Sequence, residues 1–97
     1  MTNNLYSKIK QIRPEEYYSS RLNNFKYKNK RGEWYNGGLC PFHNDHRDGS
    51  FFINLKSGAF KCHSCGIGGS NIISFEMQLN NIEFKEAINQ IASKWRV

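Results

Sequence analysis

No run of apolar residues in this chain approaches the roughly 20 that a membrane-spanning helix needs. Its opening stretch, MTNNLYSKIKQIRPEE, also lacks the apolar core of a secretory leader. The default setting is the cytoplasm. Cysteine is scarce and odd in number, three in 97 residues; in a reducing compartment that argues against a disulfide framework and leaves metal ligation or free thiols. Acids are few as well, with eight Asp and Glu against 14 Lys and Arg, a formal net charge of +6. They are scattered, and no two form an evident metal-binding pair at helical or strand spacing, so an enzyme is the least favoured class and no catalytic residue is nominated. Repeats and low-complexity tracts are absent, and two prolines and eight glycines are too dispersed to mark a linker. The expectation is one domain over 1–97.

What is present points to a folded module with an aromatic core. Hydrophobic residues make up 38% of the chain and aromatic residues 14%, too many for a disordered tail. A chain this short is marginal without an added staple. Its basic balance favours a polyanionic partner, although a solvated charged surface would read the same way.

Leu5, Ile9 and Ile12 recur at helical spacing, and Pro14 suits the opening turn of a second short helix through PEEYYSSRL. From Phe25 the period changes: FKYKNK alternates Phe25, Tyr27 and Asn29 with Lys26, Lys28 and Lys30, the pattern of a half-exposed strand. RG turns the chain, and EWYNGGL is expected to return as a partner strand ending at Cys40, with Gly37 and Gly38 marking a bulge or a close backbone approach. SFFINL and AFKC form a hairpin across KSG, where Gly58 can take the positive φ of a tight turn. Strand alternation directs Phe51 and Ile53 inward and Phe52 outward. After GIGG the period is helical again: Ser70 or Asn71 can cap a helix through Ile72, Ile73, Phe75, Glu76, Met77 and Leu79, and Asn80-Asn81 interrupts it. In EFKEAINQIASKW, Phe84, Ala87, Ile88, Ile91, Ala92 and Trp95 share one stripe, read as core. The fold class is α+β: N-terminal helices over 1–22, an antiparallel sheet over 23–69 and C-terminal helices over 70–95.

All six soft ligands, three Cys and three His, fall between Cys40 and Cys65. Read as C-x2-H and C-x2-C, Cys40, His43, Cys62 and Cys65 supply the four donors of tetrahedral zinc, and the hairpin between the pairs brings the two knuckles together. A Cys62–Cys65 redox disulfide leaves Cys40 and His43 unexplained, haem attachment wants His where Gly66 stands, and an iron–sulfur cluster prefers four thiolates. His46 reaches the ion only if HNDHRD folds back. His63, between two ligands, is either solvated or a surface contact. With four protein ligands the site is closed to water and substrate, hence structural. Three thiolates around one zinc ion lower the net charge to about +5.

The string GLCPFHNDHRDGSFFINLKSGAFKCHSCGIGGSNIISFEMQ resembles the zinc-binding domain of bacterial DnaG-type DNA primases, the CHC2 zinc finger. FKYKNKRGEWYNG is similar to the basic strand pair ahead of the first ligand there, and IEFKEAINQIASKW to the closing helix, so the likeness covers roughly 17–95. It implies a zinc ribbon with one structural zinc on Cys40, His43, Cys62 and Cys65, with Ser50, Phe51 and Phe60 supporting the sheet. It further implies contact with single-stranded template DNA and help in starting primers during DNA replication. The polymerising acids of that family belong to a separate domain, so the expectation here is an accessory module without polymerase activity. The loop from His43 to Ser50 is one residue longer than the common pattern, Gly49 stands where a proline is usual, and Ser70-Asn71 replaces the usual acid. The divergent first sixteen residues are similar to stand-alone forms carried by plasmids, phages and other mobile elements.

A single strand is held by cations that track phosphates and rings on which bases stack. Lys26, Lys28, Lys30, Arg31, Arg47, Lys56 and Lys61 lie in or beside the expected sheet, with Trp34, Tyr35 and Phe52 among them. The competing reading is an interaction module, its sheet or last helix docking on a primase, helicase or relaxase supplied by another chain.

Overall fold

A computed structural model describes residues 2–22, 32–43 and 49–95. Lys26, Lys28, Lys30, Arg31, His46 and Arg47, together with the strand expected over 25–30, lie outside the described residues. Helix α1 covers Thr2–Lys10 and α2 Pro14–Arg21; strands β1 (Trp34–Asn36), β2 (Phe51–Asn54), β3 (Phe60–Cys62) and β4 (Gly68–Gly69) follow, then α3 (Ile72–Asn80) and α4 (Phe84–Trp95). This is the α+β zinc-ribbon architecture, one four-stranded sheet in the order β1-β2-β3-β4 with every neighbouring pair antiparallel.

Helices α2 and α3 carry local chemistry that sets their ends. Pro14 opens α2, where the missing N–H costs nothing, and Glu15 and Glu16 sit in its first turn against the helix dipole. Asn71 caps α3 by accepting the Ser74 N–H at 2.9 Å, and Asn81 closes it in the left-handed region at φ 54°. Within the sheet Phe51, Ile53, Phe60 and Cys62 are buried and alternate with half-buried Phe52 and exposed Lys61.

Phe75 is the hub of the core. Its ring meets those of Tyr18, Phe42 and Phe60 at 5.0, 5.2 and 5.2 Å and that of Tyr17 at 5.8 Å, all near edge-to-face, the geometry the ring quadrupoles favour. Tyr18 donates its hydroxyl to the Gly58 carbonyl at 2.6 Å, tying α2 to the β2–β3 turn. Gly58 has φ +86°, and a Cβ there would lie 3.2 Å from Ile72, so the turn needs glycine for both conformation and space.

Three expectations change. The EWYNGGL strand stops at Asn36, because Gly37 lies against the Phe51 ring, where a Cβ would come within 2.6 Å, and Gly38 turns the chain at φ +84°. The GIGG segment, which the sequence pattern assigns to no strand, contributes β4: Gly69 pairs with Phe60 and fits beneath its ring, 2.6 Å from where a Cβ would stand. Phe84 does not join the core stripe; at the first position of α4 it is 45% exposed, its ring 5.7 Å from Tyr6.

Glu76, which the helical pattern places among apolar residues, is a fully buried carboxylate. It accepts from the Tyr17 hydroxyl at 2.5 Å, from the Arg21 guanidinium at 2.5 Å and from Asn80 Nδ2 at 2.9 Å, which satisfies a charge that would otherwise be costly to bury. Burial works against the Arg21 charge, but the adjacent carboxylate outweighs it and holds the arginine above its ordinary pKa. Burial, reinforced by Glu76, keeps the Tyr17 phenol well above the usual tyrosine range. Arg21 also lies over the Tyr17 and Trp95 rings at 5.7 and 5.8 Å, so α2, α3 and α4 meet at one charged and aromatic junction.

Candidate metal centre and the adjoining sheet face

Two knuckles form the metal centre. The first is the turn Cys40–His43, which leaves the end of the β1 segment; the second follows β3, beginning at Cys62 and reaching Cys65. Antiparallel pairing sets Cys62 opposite Phe51, and the Cys62 N–H donates to the Ile67 carbonyl at 2.8 Å. Gly66, at φ +81°, turns its N–H back to the Cys62 carbonyl at 2.8 Å and closes the knuckle.

The ligand atoms of Cys40, His43, Cys62 and Cys65 all lie within 4.8 Å of one another, and the Cys40 and Cys65 sulfurs are 3.9 Å apart. Tetrahedral zinc with Zn–S bonds of about 2.3 Å places its sulfurs about 3.8 Å apart, so the donor set fits that ion. Cys40 and Cys62 are buried, His43 is half-buried and Cys65 is exposed, and none of the three cysteines is in a disulfide. Burial pushes the Cys40 thiol up to about 12, helped by the neighbouring thiols and opposed by the Phe42 N–H. Burial also opposes ionisation of Cys62, but the Cys65 and Ser64 N–H groups prevail and lower it.

Phe42 joins this centre to the core. Between ligands Cys40 and His43, its ring stacks on Phe60 at 5.6 Å and meets Phe75 at 5.2 Å. The signal available for it was a large apolar residue inside a ligand knuckle, where solvent exposure would waste its surface.

The described site candidates separate onto different faces. Register aligns Asn36, Phe52, Lys61 and Gly68 across the sheet, and alternation puts Trp34 on the same outer face. Tyr35 pairs with Ile53 and packs partly buried against the core. Trp34 and Tyr35 thus cannot share one surface. Lys56 sits in the β2–β3 turn, at the end of the hairpin away from Cys62. His63, whose role the sequence left open, is exposed, its ring edge-on to Phe52 at 5.7 Å. The outer face therefore carries Phe52, Lys61 and His63 beside the metal centre and Trp34 towards the β2–β3 turn.

A family model described as the CHC2 zinc finger matches residues 7–97. The chain belongs to the CHC2 zinc-finger family. This CHC2 finger is 39% identical to the DNA primase of Clostridium acetobutylicum over 69 residues, covering 71% of the chain and 11% of that protein. It is 36% identical to the DNA primase of Treponema pallidum over 76 residues, covering 77% of the chain and 12% of that protein. A crystal structure of the Aquifex aeolicus primase, described by its zinc binding and RNA polymerase domains, matches 93% of the chain and 21% of its own, with TM-score 0.70 and 28% identity. The CHC2 finger thus spans about a tenth of those curated primases. Cys40, His43, Cys62 and Cys65 are its zinc site. Among the described residues no helix is long and apolar enough to cross a membrane.

Proposed function

We propose that the outer sheet face binds single-stranded DNA template and assists replication priming, with the polymerase activity supplied by another domain or chain. The observation that carries this reading is the grouping of Phe52, Lys61 and His63 on one exposed face next to the zinc knuckles. Phe52 and Trp34 offer ring faces to bases, at about 1–3 kcal/mol per stacked base. Lys61, with Lys26, Lys28, Lys30, Arg31 and Arg47, supplies cations to phosphates. The zinc ion supplies no chemistry to a substrate; it holds β3 and the turn after it, and so the face on which these side chains stand.

The test is fluorescence anisotropy of zinc-loaded protein with short labelled single strands, duplex DNA and RNA at two salt concentrations. Neutralising about five phosphates lowers log K by roughly 3.5 per decade of salt, about a hundredfold between 50 and 200 mM. Phe52→Ala is expected to weaken binding about tenfold, and Lys61→Glu to weaken it and flatten the salt slope. A flat slope in the parent protein sinks the reading. Absence of single-strand binding transfers the role to docking on a primase, helicase or relaxase, for which exposed Phe84 against Tyr6 is the supporting feature.

A further inference from the structure

A cleft at the opposite end of the β2–β3 hairpin from the zinc knuckles combines volume with charge of one sign. Its walls come from three parts of the chain: Tyr6, Lys10 and Ile12 in and after α1, Lys56 and Ser57 in the hairpin turn, and Ser70 ahead of the α3 cap. The cavity measures about 360 Å³, at the lower end of the range for small-ligand pockets, which suits a ligand of mononucleotide size. None of its lining residues is acidic. The ion pairs among the described residues, Arg13–Glu16 and Arg21–Glu76, use neither Lys10 nor Lys56, and both lysines are exposed at the rim.

We propose that this cleft binds a nucleoside 5′-phosphate. A phosphate monoester carries nearly two negative charges at neutral pH, matching two ammonium groups delivered by separate elements, and its oxygens accept from hydroxyl donors. The turn that presents Lys56 and Ser57 is pre-set: Asn54 Oδ1 accepts both of their N–H groups, at 2.9 and 3.0 Å. Ser57 Oγ accepts the Ala59 N–H at 3.2 Å, so the hydroxyl keeps its own proton to donate to a phosphate. Tyr6, with Lys10 Nζ 5.1 Å from its ring centre, and Ile12 provide the apolar wall for a sugar and base. The site shares no residue with the metal centre or the outer face, and it moves Lys56 from the sheet surface to this cleft. The nucleotide can be free or the phosphorylated 5′ end of a strand; the recognising chemistry is the same.

The experiment is an amide NMR titration of ¹⁵N-labelled, zinc-loaded protein with AMP, inorganic phosphate and adenosine, followed by short oligonucleotides with and without a 5′-phosphate. AMP is expected to give saturable shifts at Lys10, Lys56, Ser57 and Ser70 and to bind roughly tenfold tighter than phosphate or adenosine alone. Lys10→Gln and Lys56→Gln, both at exposed positions and checked by an unchanged amide spectrum, each weaken AMP roughly tenfold. Preference for the 5′-phosphorylated oligonucleotide over AMP assigns the strand end, and the reverse assigns the free nucleotide. No saturable shift in the cleft by about 10 mM AMP, equal binding of phosphate or adenosine, or unchanged affinity in the double variant overturns the proposal. Loss of strand binding in Phe52→Ala leaves it standing, so it fails separately from the outer-face reading.

Discussion

At the metal end of the sheet, strands of two to four residues run into turns whose side chains include thiols and an imidazole, and one of the four ligands is exposed. At the helical end, Tyr17, Phe75 and Trp95 pack ring on ring around a carboxylate with no solvent exposure, and Arg21 spans two of those rings. The first region has few apolar side chains in its two knuckles, so coordinate bonds are expected to supply much of their order. The second excludes water well enough to strengthen a charged hydrogen-bond network, and would suffer if a single member were lost. Phe42 belongs to both, since its backbone lies between two ligands and its ring touches Phe60 and Phe75.

Zinc removal should produce the largest effect. Apparent binding free energies of about 10–16 kcal/mol in small zinc sites match or exceed the roughly 5–15 kcal/mol that stabilises a whole domain. Chelation should collapse amide dispersion over 34–69, followed by NMR and circular dichroism; an unchanged melting curve would abolish the distinction between the two ends. Zinc affinity should also fall as pH drops, because Cys40, pushed up to about 12 by burial, must surrender its proton to bind. Competition against a chromophoric chelator at pH 6 and pH 8 measures this, and a pH-independent affinity would contradict it.

Next is Glu76→Ala, which leaves the part-buried Arg21 guanidinium and the Tyr17 hydroxyl without their acceptor. The expected cost is about 3–5 kcal/mol, a fall in Tm of more than about 10 °C for a domain of this size. Zinc stoichiometry by mass spectrometry should stay at one, and loss of the metal would mean that the two ends are not separable in this way. Phe42→Ala sharpens the comparison from the middle: removal of a half-buried ring costs about 2–4 kcal/mol and should weaken zinc as well. Unaltered zinc affinity would show that the ring does not position the first knuckle.

The smallest contrast is between two turn glycines. Gly58→Ala meets both a positive φ and Ile72 at 3.2 Å, whereas Gly66→Ala, at similar φ, meets nothing within 4 Å. The backbone term is about 1–2 kcal/mol in each, so thermal melts should place Gly58→Ala below Gly66→Ala, and the opposite order would refute the steric part.

The zinc ligands and the β2–β3 hairpin were legible because each depends on residues a few positions apart: two x2 intervals, and KSG between alternating strands. Most of the α4 stripe was legible for the same reason, but periodicity cannot tell where along a helix the neighbouring layer ends, and Phe84 at the first turn lies beyond it. Glu76 could not be read, because its partners Tyr17 and Arg21 lie 59 and 55 positions away. Trp34 and Tyr35 are grouped on one surface by composition, although alternation opposes them, and the choice of outward residue depended on the pairing of β1 with β2. In β4, two glycines carry no side-chain pattern, and the Phe60 ring together with Ser74 makes the smallness of Gly69 necessary.

By itself, the sequence determined the metal chemistry, the antiparallel hairpin and the helix ends, since ligand spacing, turn glycines and caps act over one turn of chain. Tertiary structure decided which aromatic and basic side chains share a face, that His63 stands beside Phe52, and that a glutamate is buried on arginine and tyrosine. Those outcomes rest on strand register and on desolvation by distant segments, and neither is set until the layers pack.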